Sequence, residues 1–215
     1  MSDATKPFSA AADRNKEAIG DALADYFTPS TKVFEIGSGT GQHAIYLCER
    51  FANLHWQCTE QSQHLATLGA ALSESSGQFA IQGGDRESAQ ASAAPIELDV
   101  GAAPSGLSDH TDYTLIFSAN TAHIMSIEEV AAMFAVAHRV MAPDGHFALY
   151  GPFKINGRHT SEGNRNFDQA LKAEVPHRGI RDIAELSVLA RRCDLGLHKD
   201  IPMPANNRIL MWKRQ

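Results

Sequence analysis

The sequence is more informative at first for what it lacks. No apolar run approaches membrane-spanning length, which excludes a transmembrane helix. Cysteine is scarce: Cys48, Cys58 and Cys193 make an odd number without a C-x-x-C pair. That argues against a disulfide framework or a zinc cluster and fits a reducing compartment. No pair of histidines has H-x-x-x-H spacing, so no metal is predicted. Met1 to Lys16 is polar and lacks the apolar centre of a signal peptide. Basic residues are in the minority, 19 Lys and Arg against 25 Asp and Glu, for a formal net charge of −6. Such a chain has no electrostatic reason to hold a polyanion, so no nucleic-acid partner is expected. Together these absences point to a cytoplasmic protein with no membrane attachment.

What is present is an ordinary globular composition, 43% hydrophobic and 20% charged over 215 residues. That is enough for a sizeable core and reads as one domain over 1–215. Ser9 to Tyr26 has helical apolar spacing through Ala12, Ile19 and Leu23, and Pro29 ends it. Lys32 to Ile36 is a short β-prone run, followed by a glycine turn and a helix over Gln42–Phe51. Further strands are expected at His55–Thr59, Pro95–Val100, Tyr113–Ser118, His146–Tyr150, Leu195–Met203 and Arg208–Trp212. Helices are expected at Gln61–Leu72, Ser126–Met141, Glu162–Glu174 and Asp182–Arg192. Ser126 with Glu129 and Asp182 with Glu185 are capping boxes. Pro143-Asp144-Gly145 reads as a turn. Ser73 to Ala94, rich in Ser, Ala, Gly and Gln, reads as an irregular excursion. Strands alternating with helices imply a doubly wound, mostly parallel sheet, and the last two strands, with no helix between them, suit an antiparallel hairpin.

The chemistry-bearing motif is Glu35-Ile36-Gly37-Ser38-Gly39-Thr40-Gly41. A strand that ends in glycines and leads into a helix bares backbone N–H groups to a ligand at the helix start, where negative groups are favoured. An ordinary βα turn needs one glycine; three at alternate positions point to a ligand site. A dinucleotide fingerprint, G-x-G-x-x-G, would place its last glycine at position 42, which is Gln42. No G-K-[ST] follows, which excludes a P-loop.

Glu35 through Gly41 resembles the first motif, [DE]-x-G-x-G-x-G, of the class I S-adenosylmethionine (SAM)-dependent methyltransferases. The resemblance implies their Rossmann-like fold, a seven-stranded doubly wound sheet with the last strand antiparallel. It implies that Gly37, Ser38, Gly39, Thr40 and Gly41 cradle SAM. It also implies that Glu60, ending the second strand, holds the ribose hydroxyls, and that Asp99, with Val100 beside it, flanks the adenine. Arg139 to Gly145 resembles the segment before the fifth strand, with Asp144 in place of a glycine. Further motifs are Lys6-Pro7-Phe8-Ser9 with Arg14-Asn15-Lys16, Tyr150-Gly151-Pro152-Phe153, Gly157 to Ser161 and Met203 to Asn207. Together they are similar to one methyltransferase-like family of unknown function. The resemblance supplies fold and cofactor and no acceptor. It also raises the reading of helix 9–26 as a lid whose Arg14 or Asn15 touches SAM; on spacing alone both belong to a solvated face.

Ligands of open α/β sheets bind beyond the carboxyl ends of the strands, which gathers Glu35, Glu60, Asp99, Asn120 and His123. His43 lines the ligand's amino-acid end or is an exposed histidine. His123 is the first candidate general base, against a histidine that only bonds the backbone. His159 is the second, against a surface loop residue. Asn120 reads as a SAM or substrate contact. Tyr150, Phe153 and Arg158 are candidate substrate contacts, as are Asn206 and Asn207, which could equally cap the closing hairpin. The reading that results is methyl transfer to an unidentified acceptor, a small molecule in preference to a protein side chain, leaving S-adenosylhomocysteine. The alternatives are a non-catalytic SAM-binding or interaction protein and a nicotinamide-dependent (NAD) oxidoreductase.

Overall fold

Capping side chains set where the helices begin. In the computed structural model, which describes residues 8–51, 54–79, 94–102, 107 and 110–215, Ser9 Oγ accepts from Ala12 N at 3.2 Å and opens α1 (Ala10–Leu23). Its buried face is Ala12, Asn15, Ile19, Gly20 and Leu23. Lys6, Pro7 and the greater part of the expected excursion, residues 80–93, lie outside the described residues.

The chain divides into two compact units, Met1–Asp99 and Val100–Gln215. In the first, β1 (Lys32–Glu35) leads through the glycine turn into α2 (Gln42–Arg50). Next come β2 (His55–Glu60), α3 (Ser62–Phe79) and the two-residue β3 (Ile96–Glu97). The three strands run parallel in the order β3-β2-β1, with Glu35 opposite Cys58 and Glu60 opposite Glu97. Val33, Phe34, Ile36, Leu47 and Leu68 are each at most 1% exposed. The third strand is shorter than Pro95–Val100 suggested, because only Thr59–Ile96 and Glu60–Glu97 pair.

In the second unit β4 (Tyr113–Ala119) pairs in parallel with β5 (Met141–Pro152), across α4 (Ile127–Val140). Both halves of the Ser126–Glu129 capping box are made. The expected turn Pro143–Gly145 lies inside β5: pairing jumps from Tyr113–Met141 to Leu115–His146, so the turn chemistry is spent on a strand irregularity. Gly145 is required there, since a Cβ would stand 2.9 Å from Tyr113 O. Next comes a hairpin absent from the sequence reading, β6 (Lys154–Ile155) and β7 (Arg158–His159), turning at Asn156 and Gly157 with φ of 51° and 75°. Two positive-φ residues of this type form the mirror-image turn that suits tight hairpins. The unit continues through α5 (Glu162–Glu174), α6 (Ile183–Arg191), β8 (Leu195–Met203) and β9 (Asn207–Arg214). β9, the last strand of the chain, runs antiparallel to both β5 and β8. Phe134, Phe147 and Trp212 pack with centroids 4.9–5.6 Å apart in the core between α4 and the sheet. Asp182 caps α6 through Ala184 N at 2.8 Å, but its other oxygen takes Gly157 N at 2.5 Å, joining helix and hairpin in place of the expected box with Glu185. Among the described residues no helix is long and apolar enough to cross a membrane.

Candidate functional site

In the first unit the glycine turn has the strained backbone its sequence requires: Gly37, Gly39 and Gly41 have φ of 73°, 56° and 72°. Two of these glycines answer different demands. A Cβ on Gly41 would meet Leu68 Cδ1 at 3.0 Å and Leu72 Cδ2 at 3.3 Å, so this glycine lets α3 pack against the start of α2. A Cβ on Gly39 would meet nothing within 4 Å, and the residue is exposed. Gly39 therefore has open space on its Cβ side. Ser38 is turned inward; its N–H donates to Thr59 O at 2.9 Å and its Oγ accepts from Thr59 N at 3.2 Å. Thr40 Oγ1 donates to Gln42 Oε1 at 2.8 Å, and the same oxygen accepts from Ser9 N, which ties α1 to the turn.

Glu60 stands over this turn. Its Oε2 accepts from Gly39 N at 2.7 Å and its Oε1 from Gln61 N at 2.9 Å. Glu35 does not stand beside it in solvent. It is 1% exposed, accepts from Trp56 Nε1 at 2.9 Å, and burial pushes its carboxyl up to about 7. His43 Nδ1 is 4.0 Å from Glu35 Oε1, beyond hydrogen-bond length, while His43 Nε2 bonds Asn15 Oδ1 at 2.8 Å. Burial, and then Lys16, lower His43 to about 4, so it meets Glu35 as a neutral ring. Asn15 is thus buried inside the α1–α2 contact, whereas Arg14 is exposed. Asp99 is half-buried and ends the first unit.

In the second unit one short strap, residues 179–181, gathers the candidate polar groups. Gly179 N donates to His123 O at 2.9 Å, Ile180 N to Asp168 Oδ1 at 2.7 Å, and Lys154 N to Arg181 O at 2.8 Å. Arg181 Nε donates to Ala122 O at 3.0 Å, and its Nη2 donates to His177 O at 2.8 Å and to Met125 O. A Cβ at Gly179 would stand 2.8 Å from Asp168 Oδ1, so only glycine passes there. His123 is 8% exposed with Phe167 edge-on at 5.2 Å; burial, then Arg181 and Arg178, lower it to about 4. Asp168, 3% exposed, takes His159 Nε2 at 3.0 Å, Lys172 Nζ at 2.8 Å and Lys154 Nζ at 3.3 Å, and those donors hold it well below the usual carboxylate range.

Sequence reading placed His123 and His159 in one neighbourhood; the strap bonds the backbone of His123 directly and reaches His159 only through Asp168. It missed Asp168, whose partners are 4 to 14 residues away in sequence, and Gln42, which entered only as a departure from the dinucleotide pattern. Asn120 has φ of 61° and donates its N–H to Tyr150 O at 2.9 Å. Tyr150 and Phe153 are buried at 3% and 1%. Arg158 is exposed and, with Ile155, Asn156, His159 and Thr160, lines an open cavity of about 530 Å3. Asn206 O accepts from Asn164 Nδ2 at 3.2 Å and Asn207 Nδ2 donates to Pro204 O at 3.3 Å, which closes the β8–β9 turn. Among the described residues no group of three or more His, Cys, Asp or Glu side chains could hold a metal ion.

The architecture is that of solved methyltransferases. The mitomycin 7-O-methyltransferase MmcR matches with a TM-score of 0.74 at 15% identity, over 96% of this chain and 56% of its own. PigF with SAH matches at 0.71 and 14%, over 95% and 64%. NcsB1, an O-methyltransferase from neocarzinostatin biosynthesis in complex with S-adenosylmethionine and 2-hydroxy-5-methyl naphthoic acid, matches at 0.71 and 11%, over 95% and 55%. The chain thus spans between 55% and 64% of the length of these three. At such identities the likeness shows the fold, which is the expected doubly wound, mostly parallel seven-stranded sheet with the last strand antiparallel. A family model for a protein of unknown function (DUF938) matches residues 6–214, and the chain belongs to that family.

Proposed function

We propose that this chain is a SAM-dependent methyltransferase acting on a small molecule. The observation that carries the reading is the pair formed by Gly39 and Glu60. Gly39 is an exposed residue with open space where a Cβ would stand, and its N–H donates to the Glu60 carboxylate at 2.7 Å. A carboxylate with two acceptor oxygens suits two ribose hydroxyl donors. Dinucleotides carry the same sugar, so Glu60 does not separate the two cofactors; Gln42, standing where the dinucleotide glycine would be, favours S-adenosylmethionine over NAD. The solved neighbours named above include one with SAH and one with S-adenosylmethionine.

In this reading Gly37, Gly39, Thr40 and Gly41 hold the ligand through the turn, Glu60 its sugar, and Asp99 and Val100 its adenine. Asn120, with its strained backbone, contacts cofactor or acceptor. Glu35, Ser38, Asn15 and His43 act from behind, keeping the turn and α1 in place. Bound there, S-adenosylmethionine would supply a methyl group on a positively charged sulfur. The chain's own part is to align the acceptor, which is worth roughly 7–11 kcal/mol, and to take its proton where it has one. His159 is the better supported base. Asp168 accepts its Nε2–H, which fixes the tautomer and leaves Nδ1 as the acceptor. His123 stays neutral at pH 7 but lies near two arginines that oppose its protonation.

Calorimetry with S-adenosylhomocysteine and with NAD tests the cofactor. Binding of the first and not the second is expected. Saturation at 100 times Kd adds about 2.7 kcal/mol of stability. Failure of S-adenosylhomocysteine to bind at millimolar concentration overturns the reading. Binding without any labelled product from radiolabelled SAM and a metabolite extract would instead favour a non-catalytic SAM-binding protein.

A further inference from the structure

The cavity at the β6–β7 hairpin has a one-sided lining. Its side-chain polar groups are Arg158, Asn156, His159 and Thr160, with Ile155 as the apolar wall, 39% exposed. Among the described residues no carboxylate lines it. The two acids that bond to the hairpin, Asp182 and Asp168, are consumed by inward bonds. Asp182 gives one oxygen to Ala184 N and the other to Gly157 N. Asp168 is 3% exposed and takes donors on both oxygens, two of them lysines. Two ammonium groups around one carboxylate leave a surplus positive charge beside His159. Arg158, paired across the hairpin with Ile155, is exposed on the cavity.

The hairpin is also held in place before any ligand arrives. The turn at Asn156-Gly157 is tight, Gly157 N is tethered to Asp182, and Lys154 N to Arg181 O at 2.8 Å. An exposed guanidinium with planar donors on a tethered hairpin, next to an amide and an apolar wall, matches a carboxylate on an apolar body. We infer that this cavity is a subsite for a small organic acid, and that the methyl acceptor of the reading above carries a carboxylate which Arg158 holds. The identity of the ligand as acceptor rests on the methyl-transfer reading; the anion subsite does not.

Benzoate and benzamide, alike in shape and different in charge, are the probes, titrated into the full chain with and without S-adenosylhomocysteine. Benzoate is expected to bind at least tenfold tighter than benzamide and to weaken as salt is raised. In the Arg158→Gln variant that preference is expected to vanish while S-adenosylhomocysteine binding is unchanged. In the unsubstituted chain benzoate should shift the NMR signals of the His159 ring, a readout that does not depend on any variant folding. Equal binding of the two probes, an undiminished preference in Arg158→Gln, or a His159 ring indifferent to benzoate overturns the subsite. Failure of S-adenosylhomocysteine alone overturns the methyltransferase reading and leaves the benzoate result to decide the subsite by itself.

Discussion

At the scale of the residue, the glycine turn separates two roles that the sequence merges. Gly39 and Gly41 look alike in the motif, yet only Gly41 has neighbours where its side chain would be. Gly39→Ala adds a methyl into open space and bears only the left-handed strain, about 1–2 kcal/mol. Gly41→Ala bears that strain and an overlap with Leu68, about 3 kcal/mol in all. Thermal melts should therefore rank Gly41→Ala as the more destabilised, while calorimetry finds S-adenosylhomocysteine binding weakened at least tenfold in Gly39→Ala. A Gly39→Ala protein that binds as before would show that the open space at Gly39 is not part of a ligand site. The motif announced the glycines because the backbone conformation is local. It could not announce that Glu35 turns inward, because Trp56, its partner, comes from the neighbouring strand 21 residues later.

At the scale of the element, caps were legible and tethers were not. Ser9, Ser126, Ser161 and Asp182 each take a backbone N–H within three residues, so helix starts follow from short-range chemistry. The β6–β7 hairpin was missed although its Asn-Gly turn is a known signal, because strands of two residues have no periodicity to read. Its place is fixed by Asp182 and Asp168, whose bonds reach 25 and 9 residues along the chain. The Pro143–Gly145 turn was legible as chemistry and not as location, since β4 pairing continues past it on both sides. The two kinds of contact differ in how they respond to deletion. Ser126→Ala removes one cap and should cost about 1 kcal/mol. Asp182→Ala removes a cap and the Gly157 tether together and should cost about 2 kcal/mol or more. Urea midpoints compare the two, and only Asp182→Ala should also shift the His159 ring signals. Equal losses, or a silent His159, would show that Asp182 serves the helix alone.

At the scale of the whole molecule, three buried groups, Glu35, His43 and His123, shape how stability depends on pH between pH 5 and 6. Burial raises Glu35 to about 7 from an ordinary 4.5, and lowers His43 and His123 to about 4 from 6.5. The signs oppose. The raised acid contributes stability that is full below pH 4.5 and is lost as pH climbs through 7. The depressed histidines contribute stability that is full above pH 6.5 and is lost as pH falls through 4. Near pH 5.5 the unfolded chain holds two protons on the histidines and nearly none on the glutamate, while the folded chain holds one, on Glu35. One net proton taken up on unfolding makes stability rise with pH by roughly 1.4 kcal/mol per unit. His138 and His146, also lowered chiefly by burial, add to the same sign. Glu35→Gln removes the opposing proton and keeps an acceptor for Trp56. Its slope between pH 5 and 6 should therefore be steeper than that of the unsubstituted chain by roughly 1.4 kcal/mol per unit, and above pH 7 it should be the more stable protein. Urea unfolding at three pH values measures both. A slope that Glu35→Gln leaves unchanged would mean that Glu35 is ionised in the folded chain, with His43 as its charged partner at 4.0 Å, and the turn would then rest on an ion pair instead of two neutral groups.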